Sequence, residues 1–264
     1  MKFQVQALLT GVIAGTTWVA SELPSFSFSF TTHYTGSAPR GDVLLTGIEY
    51  DNQVHTNFSL VERATIVTND LWTGGNTGAA SADLGKEATI GVKQERATNE
   101  GVVGALGNLN LNSIIDTEDR GNFAIDVVFE NAVDTVAFWE RGMNSRFDVQ
   151  ALDASGALIG NLLELDYSRN WDYAGFNIET TEIGRSQRVG SLGLELDDFG
   201  LSEAIAGVRV ISRGRSYRGP DWKVVGLAAD VDAETVPEPA FAGGLIVFAA
   251  AVARWGKRKL RVQA

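Results

Sequence analysis

The sequence predicts an all-β body that folds as one β-sandwich or jelly-roll-like domain with one short helix. Stretches of alternating apolar and polar residues recur along the chain at intervals of roughly ten residues, as half-buried strands of such folds do. The 29 glycines suit the many turns that short strands require. No motif repeats at a fixed period, which argues against a solenoid or a propeller.

Strands are predicted first between residues 25 and 68. Ser25–Phe30 alternates serine with phenylalanine, which places three aromatic rings on one face. Val43–Tyr50 and Gln53–Val61 follow, and the residues between them, Asp51 and Asn52, are typical of a tight turn. Ala64–Thr68 is the next predicted strand, and a glycine-rich loop follows it.

The rest of the body contains one predicted helix and most of the predicted strands. Ala97–Asn108 favours a helix, although three glycines weaken it. Phe123–Glu130 and Val133–Glu140 are predicted to form a hairpin around Asn131. Asp153–Gly156 predicts a turn, because aspartate bonds back to the backbone and glycine accepts a positive φ. The remaining predicted strands are Phe147–Leu152, Leu158–Leu165, Tyr173–Ile178, Val189–Leu196, Ile205–Ser212 and Trp222–Ala228.

The chain is acidic and contains no cysteine. It carries 22 basic and 33 acidic residues, for a net charge of -11. Such a surface repels nucleic acid and anionic membranes and is compatible with cations and with neutral or cation-bridged polysaccharide. The lack of cysteine excludes thiol catalysis, thiolate metal sites and iron–sulfur clusters. We therefore expect no nucleic-acid partner.

The N-terminus resembles a secretory signal peptide. Lys2 precedes a largely apolar stretch, Val5–Ala20, and small residues at Ala20 and Ser21 offer a weak cleavage site. An N-terminal core strand or helix is the alternative. We interpret residues 1–21 as the signal peptide and residues 22–229 as the body.

The C-terminus combines a proline-flanked motif, an apolar run and a basic tail. Ala240–Ala253 has 14 residues and no polar face, so a packed surface helix is the less favoured interpretation. As a helix it spans about 21 Å, less than the roughly 30 Å hydrocarbon core of a bilayer. The basic residues that follow should stay cytoplasmic by the positive-inside rule. They are Arg254, Lys257, Arg258, Lys259 and Arg261.

These three parts resemble the PEP-CTERM sorting signal, whose motif matches at Pro237, Glu238 and Pro239. In that family an exosortase, a membrane-embedded relative of cysteine proteases, recognises the signal and is thought to cleave near the motif. The resemblance implies a sorting segment at residues 236–264 with a transmembrane helix, and the acidic composition of residues 230–235 predicts a linker to it. It implies nothing about what the body binds.

Two stretches of the body carry a second resemblance. Leu71–Leu84 and Ala137–Asp153, taken with the tail, look like an exosortase-dependent surface protein family described mainly in cyanobacteria. This similarity extends across most of the body. The family has no biochemical activity to carry over, so the resemblance implies a location rather than a mechanism.

Catalytic patterns are sparse. His33 and His55 are the two histidines, and no serine lies in a Gly-x-Ser-x-Gly elbow. Two isolated histidines make a poor zinc site, and His55 is expected to be a surface residue of a strand. Glycoside hydrolysis needs two carboxyl groups across a cleft, and the sequence places no two of its strand carboxylates in that relation. These carboxylates are Glu140, Glu164, Asp166 and Glu179.

Two acidic clusters suit calcium, which prefers six to eight oxygen ligands. The first consists of Asp116, Glu118 and Asp119, and the second is Asp197-Asp198. Neither matches the twelve-residue loop of a helix–loop–helix calcium site. A solvated turn is the favoured alternative for the first cluster. Calcium is thus the one cofactor that the sequence leaves open.

Aromatic residues beside polar ones suggest a sugar-binding surface. Trp139 is followed by Glu140, Arg141 and Asn144, and Trp72 lies in the glycine-rich loop. Tryptophans of β-sandwiches more often fill the core, and we favour that interpretation for Trp139 while leaving Trp72 open. Three arginines near Tyr217 form a basic patch that either binds an anionic glycan or, as we favour, balances nearby carboxylates. They are Arg213, Arg215 and Arg218.

Taken together, these patterns predict an exported, exosortase-sorted protein of the cell surface or extracellular matrix of a Gram-negative-type bacterium. We expect a structural or adhesive role with weak polysaccharide binding and no enzymatic activity. The expected partners are the Sec translocon, the exosortase and extracellular polysaccharide. A secreted polysaccharide hydrolase and a ligand-free coat protein are the alternatives.

Overall fold

A computed structural model describes residues 27–71, 80–91, 96–166 and 171–229. The expected signal peptide, the linker, the sorting segment and Trp72 lie outside the described residues. Within them the chain is all-β with one short helix, as predicted. No helix in these ranges is both long and apolar enough to cross a bilayer.

The described residues contain fourteen strands and the helix α1 (Asn99–Leu106). The strands are β1 (Thr31–Gly36), β2 (Val43–Tyr50), β3 (Gln53–His55), β4 (Phe58–Ser59), β5 (Val61–Asn69), β6 (Ala80–Asp83), β7 (Ile114–Thr117), β8 (Asn122–Arg141), β9 (Phe147–Leu152), β10 (Leu158–Leu165), β11 (Asp172–Ile178), β12 (Gln187–Glu195), β13 (Ile205–Arg213) and β14 (Trp222–Ala228).

Strand β8 organises the larger sheet, because its two halves pair with different neighbours. The half that begins at Asn122 pairs with β5 and β13, and β9 and β10 extend the sheet beyond β13. The half that ends at Arg141 pairs with β12 and β14, with β11 beyond β12 and β7 and β6 beyond β14. All these pairings are antiparallel.

The predicted hairpin around Asn131 is therefore wrong. Residues 122–141 form one strand, and a shift in its register with β13 separates Val128 from Val133. Around this point the backbone bonds to the segment that precedes β5, since Glu130 N–H donates to Leu60 O at 2.9 Å and Asn131 N–H donates to Ser59 Oγ at 2.8 Å. The polar residues Glu130 and Asn131 mark this irregularity in the strand rather than a reversal of the chain.

A smaller sheet contains β1, β2 and β3 in that order. The predicted turn between β2 and β3 is present, with φ of 50° at Asp51 and 61° at Asn52, as two-residue hairpin turns require. Of the strand predicted at Ser25–Phe30, the structure describes residues 27–30, which form no regular strand. Phe28 makes only an isolated bridge to Gly193, and regular pairing starts at Thr31.

Helix α1 confirms the predicted helix with shorter ends. Thr98 caps its N-terminus by accepting a hydrogen bond from Gly101 N–H at 3.0 Å. At the other end, Nζ of Lys223, which is fully buried, donates to Ala105 O at 2.6 Å. The helix closes one end of the core with Val102, Ala105 and Leu106.

Two apolar clusters form the core. The larger lies between the strands around β8. Within it the ring of Trp222 stacks on Phe123 and packs at a tilt against Phe147. The second lies between the small sheet and the C-terminal half of β8, around Phe30 and Trp139. Burial of these side chains is the main favourable term for a body without disulfide bonds.

Gly207 gives a test of this packing. It lies in β13 between β8 and β9, where a Cβ would come within 2.1 Å of Val127 O. We expect Gly207→Ala to lower the free energy of unfolding by about 1–3 kcal/mol, measured by urea denaturation. Gly184→Ala is the matched control, since its added Cβ would meet nothing within 4 Å. Equal losses in the two variants would contradict this account.

Candidate functional site

A polar cleft of about 330 Å³ lies beside the ends of β7 and β8 and the start of β14. β7 contributes Asp116 and Thr117, the last residue of β8 is Arg141, and Asp221 directly precedes β14. Glu182 comes from the connection between β11 and β12. The lining also includes Glu118, Asp119, Asn144, Ile183, Gln187, Arg218 and Gly219. None of these lining residues is aromatic.

The guanidinium group of Arg141 is the buried centre of this site. Its side chain is only 2% exposed, and its Nη2 donates to Asp116 Oδ2 at 2.9 Å and to Asp221 Oδ2 at 2.7 Å. Nε adds a second bond to Asp221 Oδ2 at 3.0 Å, and Nη1 donates to Thr180 Oγ1. Burial disfavours the charge, but the two carboxylates outweigh it and raise the pKa of Arg141. The arginine is therefore charged at any working pH.

Asp83, the last residue of β6, brings a further carboxylate to the same place. Asp83, Asp116 and Glu182 each offer an oxygen, and these oxygens all lie within 4.8 Å of one another. The carboxylate of Asp83 accepts bonds from Leu84 N–H at 2.7 Å, Glu182 N–H at 3.3 Å and the hydroxyl of Thr181. Asp83 and Asp116 are buried, whereas Glu182 is exposed.

The proximity of these groups changes their proton affinities. The hydrogen-bond contact with Asp116, followed by burial, raises the pKa of Glu182 to about 9. Burial opposes ionisation of Asp116, but Arg141 attracts the charge and lowers its pKa. One shared proton or one bound cation relieves the same repulsion between the carboxylates.

Glu140 is a separate buried acid next to this cluster. Its side chain is fully buried, Oε1 accepts a bond from Ser145 Oγ at 2.6 Å, and Oε2 has no partner among the described residues. Burial raises the pKa of Glu140 to about 8. Part of this acid is therefore neutral at physiological pH.

The structure corrects the predicted sugar-binding platform. Trp139 is 1% exposed, its indole N–H donates to Thr32 Oγ1 at 3.0 Å, and its ring packs edge-on against Phe30. The favoured interpretation of Trp139 as a core residue is confirmed, and a role in stacking on sugars is wrong because no ring face is free. Glu140 and Arg141 are buried as well, so Asn144 is the exposed member of that set.

The calcium cluster predicted from the sequence is only partly brought together. Asp116, Glu118 and Asp119 all line the cleft, but Asp116 is buried and bonded to Arg141, while Asp119 is exposed. The favoured alternative of a solvated turn does not fit Asp116 either. The carboxylates that approach Asp116 are Asp83 and Glu182, which come from distant parts of the chain and gave no local signal.

The other polar candidates have ordinary partners. His33 Nε2 lies 2.8 Å from Glu49 Oε2, and His55 stacks on Tyr50 with 4.2 Å between ring centroids. Nε of Arg213 lies 2.8 Å from Asp148 Oδ2. This arginine therefore balances a nearby carboxylate, as the favoured interpretation of the basic patch predicts. Arg215 and Arg218 line a second polar cleft of about 390 Å³ with Asp119, Arg120 and Asn144.

The carboxylate pair in the cleft does not have the geometry of a glycosidase. The carboxyl groups of Asp116 and Glu182 are in hydrogen-bond contact, and Arg141 is bonded to Asp116. Retaining enzymes hold their two carboxyl groups about 5–5.5 Å apart, and inverting enzymes need more. A sugar ring does not fit between groups in hydrogen-bond contact.

Fold and site together define an all-β protein with a buried arginine–carboxylate cluster at the base of a polar cleft. Comparisons with protein-family models, with curated proteins and with solved structures found no significant match to the chain.

Removing the buried arginine should destabilise the body strongly. Arg141→Leu leaves Asp116 and Asp221 buried without their cation, and we expect a loss of about 3–5 kcal/mol in the free energy of unfolding. Urea denaturation measures it. In the control Arg209→Leu, the lost ion pair with Asp126 is nearer the surface, with side chains 21% and 15% exposed. We expect that control to lose less than Arg141→Leu does, because its ion pair keeps some contact with solvent, and equal losses would contradict a special role for Arg141.

Glu140 should give the stability a defined pH dependence. The unfolded chain ionises this residue near pH 4.5, whereas the folded chain keeps its proton to about pH 8, so ionisation opposes folding increasingly across this interval. We expect the free energy of unfolding of Glu140→Gln to equal that of the parent near pH 4.5. It should exceed the parent's increasingly up to pH 8, by at most about 5 kcal/mol. Thermal or urea unfolding at several pH values measures the difference.

The control for this measurement is Glu164→Gln, whose side chain is 67% exposed beside Arg146. The free energy of unfolding of this control should stay close to that of the parent between pH 4.5 and pH 8. A difference between Glu140→Gln and the parent that does not change with pH would contradict the assignment.

Proposed function

We propose that this chain is an exported, exosortase-sorted protein of the cell surface or extracellular matrix with a structural or adhesive role. The observation that carries the proposal is the order of three signals at the C-terminus. Pro237-Glu238-Pro239 precedes the apolar run Ala240–Ala253, and the basic tail from Arg254 follows. Each part has a defined place in a PEP-CTERM signal, and the N-terminal export signal supports the same route.

We propose further that the body is a β-sandwich of jelly-roll-like type. The two halves of β8 pair with separate groups of strands, β5, β13, β9 and β10 on one side and β12, β11, β14, β7 and β6 on the other. The larger apolar cluster contains residues from both groups, such as Leu192 of β12 and Val149 of β9. This is the arrangement expected when two layers of strands cover one core.

Weak polysaccharide binding is the interaction that the surface suits best. Because Trp139 lies in the core, contacts with polysaccharide would come from the polar residues of the two clefts, among them Asn144, Asp119 and Arg218. Hydrogen bonds of this kind give low affinity for a single site. Many copies in a matrix would retain the protein through avidity.

Sorting should depend on the motif. In an exosortase-bearing bacterium, we expect the parent protein to lose its basic tail and to leave the membrane fraction. Intact-mass spectrometry of the recovered protein detects the loss. A variant with alanine at Pro237, Glu238 and Pro239 should keep residues 254–264 and stay with the membrane.

Two controls accompany this experiment. Alanine at Asp230, Asp232 and Glu234 changes as many residues just upstream and should leave processing intact. The parent in a strain without the exosortase should keep its tail. Retention of the tail by the parent in the normal host, or its loss without the protease, would contradict the proposal.

A further inference from the structure

The second polar cleft is a basic place on an acidic chain. This arginine cleft, of about 390 Å³, is lined by Asp119, Arg120, Asn144, Arg215 and Arg218. Three arginines and one carboxylate give its lining a formal excess of two positive charges. The whole chain, by contrast, carries a net charge of -11. Positive charge gathered in a concave place attracts a local anionic group even on a negative protein.

Two of these arginines lack a counter-ion among the described residues. Arg120 and Arg215 are exposed, and neither forms an ion pair within 4.0 Å in the part of the chain that the structure describes. Arg213 differs, because its Nε lies 2.8 Å from Asp148 Oδ2. Charge balance within the body therefore accounts for Arg213 but not for Arg215.

The connection between β13 and β14 holds Arg218 in an uncommon backbone conformation. Its φ is 60°, in the left-handed region that residues other than glycine rarely adopt. Gly219 follows with a φ of 55°, and a Cβ there would lie 2.3 Å from Thr117 O. This connection therefore packs directly against the one that follows β7 and carries Arg120. Backbone of this kind persists only where surrounding structure enforces it, and it is concentrated at ligand-binding and active sites.

Tyr217 anchors the same connection to the sheet. Its hydroxyl group lies 2.9 and 2.8 Å from the two carboxylate oxygens of Asp148, and its ring lies 4.5 Å from Cζ of Arg146. The backbone adds a bond from Arg146 N–H to Tyr217 O at 3.0 Å. Arg215 and Arg218, on either side of Tyr217, therefore extend from a fixed backbone. Such preorganisation lowers the entropy lost when a ligand binds.

The lining suits a sugar that carries an acidic group. Guanidinium groups bind carboxylate and sulfate groups through paired N–H donors. Asn144 and Asp119 are exposed in the same lining and bond hydroxyl groups as donor and acceptor. None of the five lining residues is aromatic, so the cleft offers no surface on which nucleic-acid bases stack. The net negative charge further opposes a densely charged nucleic acid.

We propose that the arginine cleft binds the carboxylate or sulfate groups of an anionic polysaccharide. Arg120 and Arg215 make the charged contacts, and Asn144 bonds a neighbouring hydroxyl group. The inference rests on the proposed function in an extracellular matrix, and it names the class of polysaccharide that the body holds there. Acidic groups repeated along a polymer engage many copies of the protein at once, so a weak single contact retains it through avidity.

The test titrates the full-length chain, in a non-ionic detergent, with oligogalacturonate by isothermal calorimetry. At about 20 mM sodium chloride we expect saturable binding, and at about 200 mM the affinity should fall severalfold, because salt screens exposed charges. The dissociation constant should be on the order of 1 mM. A neutral galactose oligosaccharide of the same length should bind at least about tenfold more weakly, because it lacks the charged acceptors.

Two variants test the arginines directly. Arg120→Gln and Arg215→Gln should each weaken oligogalacturonate binding by about three- to fivefold, because each removes one exposed ion pair with the ligand. Arg63→Gln is the matched control, since it removes an exposed arginine of β5 that lies outside the cleft lining and changes the net charge equally. It should bind as the parent does. The thermal midpoints of all three variants should stay close to that of the parent, because these side chains are exposed.

Two further ligands distinguish the possible anions. A sulfated galactan oligosaccharide replaces carboxylate by sulfate, and the tighter of the two acidic oligosaccharides identifies the group that the cleft prefers. Binding of either one that weakens in both arginine variants supports the proposal. A single-stranded DNA oligomer of equal charge should bind more weakly than both.

Several results would overturn the proposal. They are no saturable binding of either acidic oligosaccharide, parent-like affinity in either arginine variant, an equal loss in Arg63→Gln, and DNA binding as tight as that of the sugars. Equal affinity for the neutral oligosaccharide would also overturn it, while leaving the proposed polysaccharide binding intact. Tail processing is measured separately, so failure of these titrations leaves the proposed export route standing.

Discussion

The buried guanidinium of Arg141 is the interaction on which the neighbouring structure depends. It stands at the end of β8 and joins Asp116 of β7 to Asp221 at the start of β14. A charge so deeply buried is tolerated only when its partners are close and correctly oriented, since desolvation costs several kcal/mol per ion. The three strand ends are thereby held in one arrangement. That arrangement creates the cleft, whose floor is the cluster itself.

The length of β8 explains why distant parts of the chain meet at this point. One strand pairs with β5 and β13 along its first half and with β12 and β14 along its second. A strand that pairs with both groups fixes the register of one group relative to the other, because a shift by one residue would turn every core side chain toward the other face. The adjacent aromatic residues Phe138 and Trp139 of β8 then face opposite clusters. Because both faces of β8 are buried here, the polar contacts are made at the strand ends and in the connections.

The positions of the aromatic and polar residues determine which ligands suit the body. Described tryptophans lie in the core, while the clefts are lined by carboxylates, arginines and amides. Such surfaces bind cations and hydroxyl-rich polymers through hydrogen bonds and charge rather than through ring stacking. At the proposed location, in an extracellular matrix, the protein would meet both kinds of partner. This agrees with an adhesive or structural role and with the absence of aromatic residues among those lining the carboxylate cleft.

The sequence by itself determined the bounds of several strands. Val43–Tyr50, Phe147–Leu152, Leu158–Leu165 and Trp222–Ala228 have the same bounds in prediction and structure, because a short apolar run bounded by polar or glycine-containing segments is a local signal. It also contains a linear motif that resembles a sorting signal, and this interpretation stays a prediction. Only the tertiary structure decided that residues 122–141 form one strand, that Trp139 faces the core, and that Asp83 and Glu182 join Asp116. These facts depend on which strands pair and in which register, and pairing between distant segments leaves no local trace in the chain.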